Sequence, residues 1–163
     1  MLILTLLTNA DTLLKARADV KAFKGNISGE VWFYQLSDMS VFIRGTIRGL
    51  DKDKTYAIHI HEFGDCSSHH ASGGHFDPYK SEKHAHPDDP IGTHHSGDLP
   101  NIKSDKNGIA EFTYKTKAFT LLPSPYSILG RSVIIHAGED DYKSQPAGNS
   151  GDRIACGIIG LVK

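Results

Sequence analysis

The run Thr55-Tyr56-Ala57-Ile58-His59-Ile60-His61-Glu62 alternates side chains with the period of two that marks a strand, and it ends on two histidines of the same parity. Residues two apart on a strand share a face at a spacing of about 6.6 to 6.8 Å, so these two imidazoles can close on one metal ion. The run also opens a stretch, residues 59–95, that holds nine of the ten histidines of the 163-residue chain.

On either side of this run, short β-rich segments are separated by turn residues and little repeats at a helical period, which predicts an all-β fold. The expected strands are Val20 to Lys24, Glu30 to Gln35, Ser40 to Arg48, Thr55 to Glu62, Ile109 to Lys115, Arg131 to His136 and Ile154 to Val162, with a weaker one near Ala118 to Leu121. Gly25-Asn26, Gly49 to Lys54 and Lys106-Asn107-Gly108 supply the residues that tolerate tight turns. Two connections, Gly64 to about Leu99 and Ala137 to Asp152, are too long for simple turns, and long ordered loops usually carry function.

A chain of this length at 39% hydrophobic residues fits one domain with a real core. A formal charge of -1 with interspersed signs offers no basic field for nucleic acid, and no apolar run nears the roughly 18 residues of a membrane span. Neither nucleic acid nor membrane is therefore expected as a partner. The segment Met1 to Leu7 followed by Thr8-Asn9-Ala10 is similar to a short signal core but lacks a basic stretch before it. Residues 1–17 are read as an N-terminal extension, with a short or degenerate signal segment as the alternative, and residues 18–163 as the domain. A cytoplasmic address is favoured over a secreted or periplasmic one. Asn26-Ile27-Ser28 fits the N-glycosylation pattern, which matters only on a secretory route.

The first long loop carries His75, His84 and the pair His95 and Asp98 three residues apart, a set of imidazoles with one carboxylate that suits a closed tetrahedral zinc site. His59, His61 and His136, the last at the end of the Val133-Ile134-Ile135 run, are nitrogen donors suited to copper. His69, His70 and His94 are read as solvated side chains.

Five separated motifs then resemble the copper/zinc superoxide dismutase family in order and near spacing. They are His59-Ile60-His61-Glu62-Phe63-Gly64-Asp65, Gly74-His75-Phe76-Asp77-Pro78, Gly97-Asp98-Leu99, Gly130-Arg131 through His136, and Gly148-Asn149-Ser150-Gly151-Asp152-Arg153-Ile154-Ala155-Cys156-Gly157. The resemblance covers residues 20 to 163. It implies an eight-stranded Greek-key β-barrel or sandwich with two functional loops. It further implies a copper held by His59, His61, His75 and His136, and a zinc held by His75, His84, His95 and Asp98, one of each per subunit with His75 shared. The Lys83-His84 pair favours His84 over His86 as the third zinc ligand.

By the same resemblance, Asp140 bonds the free nitrogens of His59 and His84, and Arg153 meets incoming superoxide. The resemblance also implies a disulfide between Cys66 and Cys156 and a symmetric homodimer through Phe63, Gly64, Leu129, Gly130 and Leu161. The implied activity is disproportionation of superoxide to dioxygen and hydrogen peroxide, with Arg153 and His75 as the catalytic residues. The chain departs from many relatives in a shorter loop between His136 and Arg153 and in Ala147, which leaves substrate steering open; Lys143 is either part of that steering or a solvated lysine. A module that stores or delivers metal and a purely structural barrel are the competing readings. The full copper set together with Arg153 argues for turnover.

Overall fold

Alternation along the strands builds the interior of the protein. In the computed structural model, which describes residues 12–163, every second residue of the first strand from Ala16 to Val20 is buried, and the residues between them face solvent. The strands are β1 (Thr12–Ala22), β2 (Ser28–Leu36), β3 (Val41–Arg48), β4 (Thr55–Tyr56), β5 (Ile58–His61), β6 (Ile102–Lys103), β7 (Ala110–Thr116), β8 (Ser132–His136) and β9 (Arg153–Val162). All pairings between these strands are antiparallel, and the described residues contain no helix.

Seven strands form one sheet in the order β5-β8-β9-β1-β2-β3-β7, while β4 pairs with β6. Ala57 joins β4 to β5, donating its N–H to Gly138 O at 2.8 Å and accepting the His136 N–H at 2.9 Å. β4 and β5 are thus one stave that changes partner at Ala57. With β6 lying beside β7, the sheet curls round on itself as eight staves. The connections from β3 to β4 and from β7 to β8 each pass over intervening strands, which is the Greek-key pattern.

The inner face carries Val31, Phe33, Ile43, Ile47, Ile58, Ile60, Ile102, Val133, Ile135 and Ile159, all essentially out of contact with water. Gly45 pairs with Phe112, whose ring lies where a Cβ at position 45 would sit. Both faces of β5 are buried. Ile58 and Ile60 face this core, whereas His59 and His61 point to the other side, beneath the two long loops.

Several sequence expectations are corrected. β1 begins at Thr12, not Val20, so residues 12–17 belong to the sheet and not to an extension. Its inward residues include Ala16 and Ala18, too small to register as an apolar alternation. The leader-like segment lies in residues 1–11, outside the described residues. The weak strand near Ala118 to Leu121 is a loop anchored on buried Gln35, whose Oε1 accepts the Thr120 hydroxyl at 2.7 Å and the Leu121 N–H at 2.8 Å. The short β6 has no signal in a two-residue stretch beside Pro100.

Candidate metal centre

The first long loop returns along β5. Ile60 donates its N–H to Gly97 O at 2.9 Å, Phe76 donates to Ile60 O at 2.8 Å, and Gly97 donates to Phe76 O at 2.9 Å. A Cβ on Gly97 would overlap Ile60 O and lie 3.0 Å from Phe76 N, so only glycine lets three backbones meet there. The result places His75 opposite His61 and Asp98 opposite His59. From the next strand in the sheet, β8 adds His136 at its end.

Hydrogen bonds fix which nitrogen of each ring is free. His59 Nε2 donates to Asp140 Oδ2 at 2.7 Å, His61 Nδ1 donates to Gly73 O at 2.9 Å, and His136 Nδ1 donates to Gly151 O at 3.2 Å. The lone pairs left are His59 Nδ1, His61 Nε2 and His136 Nε2. Two of them, His61 Nε2 and His136 Nε2, face each other at 3.4 Å, a contact between acceptors that makes sense with a cation between them. His59 Nδ1 and His75 Nε2 are buried without any partner. Donor atoms of His59, His61, His75 and His136 all lie within 4.8 Å of one another.

A second set surrounds Asp98. Its Oδ1 is 2.8 Å from His75 Nδ1, 2.8 Å from His84 Nδ1 and 3.6 Å from His95 Nδ1. A tetrahedral zinc with bonds of about 2.0–2.1 Å holds its donors roughly 3.3 Å apart, so this cradle fits one. His59 also comes within reach of His75, His84 and Asp98, yet its one free nitrogen can serve only one ion. His95 Nδ1, buried and unpartnered, completes the second set. The His75 ring is therefore turned toward both sets, Nε2 to the first and Nδ1 to the second.

Asp140 ties the sets together, accepting from His59 Nε2 through Oδ2 and from His84 Nε2 through Oδ1 at 2.8 Å. Its main chain is gripped in turn by Asn101, whose amide accepts the Asp140 N–H and donates to Asp140 O, both at 2.9 Å. Burial holds His59 and His61 well below the usual imidazole range, with the nearby His75 ring adding to the effect. It also lowers His75 and brings His136 down to about 4. These rings are neutral donors at physiological pH. His84 goes the other way: burial opposes its charge, but the Asp140 and Asp98 carboxylates win and raise it to about 9. Asp98 and Asp140 sit far below the ordinary carboxylate range, because their imidazole partners outweigh the penalty of burial.

Around this cluster, Arg153 donates from Nη1 to the Ser72 hydroxyl at 3.1 Å and to His69 O at 3.3 Å. Its charge helps to depress His61 and His136. His86 stays outside, half exposed, its Nδ1 accepting the Asp88 N–H at 3.1 Å and its ring set against Tyr142. His69 and His70 are exposed. His94 corrects its reading as a solvated residue: it is buried, with Nδ1 donating to His95 O at 2.8 Å and Nε2 donating to Asp89 O at 3.2 Å. Lys143 is exposed, and Ala147 lies in the loop beside it, half buried. Sequence reasoning missed Ser72, whose hydroxyl meets the Arg153 guanidinium, and Asn101 and Gln145, which grip main-chain groups, because no local spacing announces such contacts.

Cys66 and Cys156 are joined in a disulfide with Cα atoms 5.7 Å apart, binding the start of the first loop to β9. On the adjoining surface Phe63, Ile158 and Leu161 are each about half exposed, and Gly64 backs directly onto Gly130 O. Leu129 packs partly against the core.

Residues 27–159 match the family model described as copper/zinc superoxide dismutase. The chain is 40% identical over 157 residues to a Saccharomyces cerevisiae protein named superoxide dismutase [Cu-Zn], covering 91% of this chain and 99% of that one. A protein of Aquifex aeolicus, superoxide dismutase [Cu-Zn] 2, is 37% identical over 154 residues, covering 90% and 86%. Among solved structures, that of the clock protein EA4 superposes with a TM-score of 0.83 at 35% identity, covering 93% of this chain and 96% of that one. With two imidazole-rich cradles sharing one ring, on a closed sheet of eight staves, this chain belongs to the copper/zinc superoxide dismutase family.

Proposed function

We propose that this chain is a superoxide dismutase, converting two superoxide anions and two protons to dioxygen and hydrogen peroxide. The observation that carries this reading is the convergence of four imidazole nitrogens, two of them buried and otherwise unpartnered, beside a second cradle that shares the His75 ring. Copper is assigned to His59 Nδ1, His61 Nε2, His75 Nε2 and His136 Nε2, and zinc to His75 Nδ1, His84 Nδ1, His95 Nδ1 and Asp98 Oδ1. When bound, copper supplies the one-electron change of oxidation state that the reaction needs and zinc a fixed charge.

The chain's own residues do the rest. Arg153 presents a permanent positive charge beside the cluster and draws in a small anion. His75 Nε2, buried and without a hydrogen-bond partner, is the atom that can hold a proton for the peroxide product. Asp140 accepts from Nε2 of both His59 and His84, which turns the Nδ1 atoms of the two rings inward.

The test is elemental analysis of the native protein together with a superoxide assay. One copper and one zinc per chain with turnover supports the reading, whereas full loading without turnover favours a metal-storage module. His136→Ala should lose copper and activity but keep zinc; full activity in that variant without copper would overturn the assignment. We further propose a symmetric homodimer through Phe63, Gly64, Leu129, Gly130 and Leu161, supported by the half-exposed Phe63 and Leu161 beside Ile158. Sedimentation of the native protein tests it, and Phe63→Glu should yield monomers.

A further inference from the structure

His84 lies in a stretch with no regular structure, between Lys80 and Glu82, both at a φ of 54°, and the turn at Pro87. Among the described residues its peptide N–H and C=O have no main-chain partner. Both are taken by one side chain from the other long loop. Gln145 Oε1 accepts the His84 N–H at 2.7 Å, and Gln145 Nε2 donates to His84 O at 2.6 Å. The second hydrogen of Nε2 goes to Lys143 O at 2.9 Å. Those three bonds fix which end of the amide is oxygen and leave it no freedom to turn over.

We propose that Gln145 is a positioning residue for the second metal cradle: its amide pairs both ways with the backbone of His84 and so holds Nδ1 of that ring toward Asp98. This rests on the assignment of zinc to His84. Of the two peptide groups that flank His84, the His95 N–H holds Lys83 O at 2.8 Å and Asp98 Oδ2 accepts the Ala85 N–H at 3.3 Å, but the N–H and C=O of His84 itself go to Gln145, and its ring is held through its two nitrogens by Asp98 and Asp140. Among the described residues the Gln145 side chain makes its hydrogen bonds to His84 and Lys143 and to none of the other donor residues. Because it lies at the surface while His84 is buried, its replacement opens no cavity in the core. The reciprocal pair also mirrors the grip of Asn101 on Asp140, so each loop holds a metal-cradle residue of the other by its main chain.

The experiment compares zinc release from the holoenzyme to a colorimetric chelator at neutral pH in wild type, Gln145→Ala, Gln145→Met and His84→Ala. Methionine keeps the length of the side chain and removes both hydrogen bonds. Outer partners of metal ligands are typically worth 10- to 100-fold in affinity, and for this exposed pair we expect release about tenfold faster in both Gln145 variants. Cobalt placed in the zinc site should show a shifted visible spectrum in both, a change that a general loss of stability would not produce. Release at the wild-type rate in both variants, with fast release from His84→Ala, would overturn the role of Gln145 and leave the cradle standing. Fast release from Gln145→Ala alone would show that covering the ring matters rather than the paired bonds, and would equally overturn it. If His84→Ala keeps its zinc, the assignment of the cradle itself fails.

Discussion

At the scale of single residues, the site was legible where the chemistry is rare and the spacing local. His59-Ile60-His61 on one strand and His95 with Asp98 three apart declare their purpose in the sequence, and the two pairs end up with His59 and Asp98 as direct neighbours. The centroids of the His59 and His61 rings are 6.3 Å apart, close to the spacing a strand dictates. What stayed hidden were residues whose partners follow from no spacing rule. His94 is one: two carbonyls hold it inside, and nothing in Thr93-His94-His95 distinguishes it from a solvated neighbour. Gly148 is another. Its φ is 68°, and a Cβ there would overlap Asp140 Oδ1 and sit 2.7 Å from His84 Nε2. Gly148→Ala should therefore push Asp140 off His84 and weaken zinc binding about tenfold or more, read by chelator competition; unchanged affinity would mean that the loop absorbs the methyl. Arg153→Glu should lower kcat/KM and cut its dependence on ionic strength, because an anion is no longer drawn inward. A salt profile like that of the wild type would show that guidance comes from elsewhere.

At the scale of elements, the sequence defined the strands whose inner residues are large and β-branched, such as β3 and β8, and failed where the inner residues are alanine or the strand is two residues long. β1 is the clearest case, since Ala16 and Ala18 fill the narrow space under β2 and β9 and carry little apolar signal. The alternating run at 55–62 predicts one strand, and residues 55–61 are one stave; what no periodicity could show is that it changes partner at Ala57, a matter of which neighbour lies alongside. The loops depend on these strands for their anchorage. Cys66–Cys156 closes a separation of 90 residues, and in the chain-entropy model a closed loop of that length stabilises by about 4 to 5 kcal/mol. Reduction of the metal-free protein should lower its unfolding midpoint substantially, by calorimetry or denaturant titration. Coincident curves for the oxidised and reduced forms would deny the tether any thermodynamic role.

At the scale of the whole molecule, the barrel supplies rigid, buried donors, and the charge state of those donors sets how the protein responds to pH before metals bind. His136 takes up a proton near pH 6.5 when unfolded but only near pH 4 when folded. Below 6.5 the unfolded form therefore binds more protons, and folding loses stability as the pH falls through that window. His59 and His61, also depressed, act in the same direction. His84 acts oppositely: folded, it keeps its proton up to about pH 9, whereas the unfolded chain releases it near 6.5. Its contribution is complete below 6.5 and disappears as the pH rises toward 9. His136 and His84 are each worth on the order of 3 kcal/mol, from about 1.4 kcal/mol per unit of pKa difference, and His59 and His61 add to the acid limb. The metal-free protein should consequently be most stable near pH 6.5 and decline on both sides. Under the proposed assignment, zinc on Nδ1 of His84 would replace that proton, so the alkaline decline should vanish in the loaded protein while the metal-free form keeps it. Urea unfolding from pH 5 to 9 on both forms measures this directly. A metal-free protein equally stable at pH 6.5 and pH 9 would show that the His84 proton does not bind the two carboxylates together.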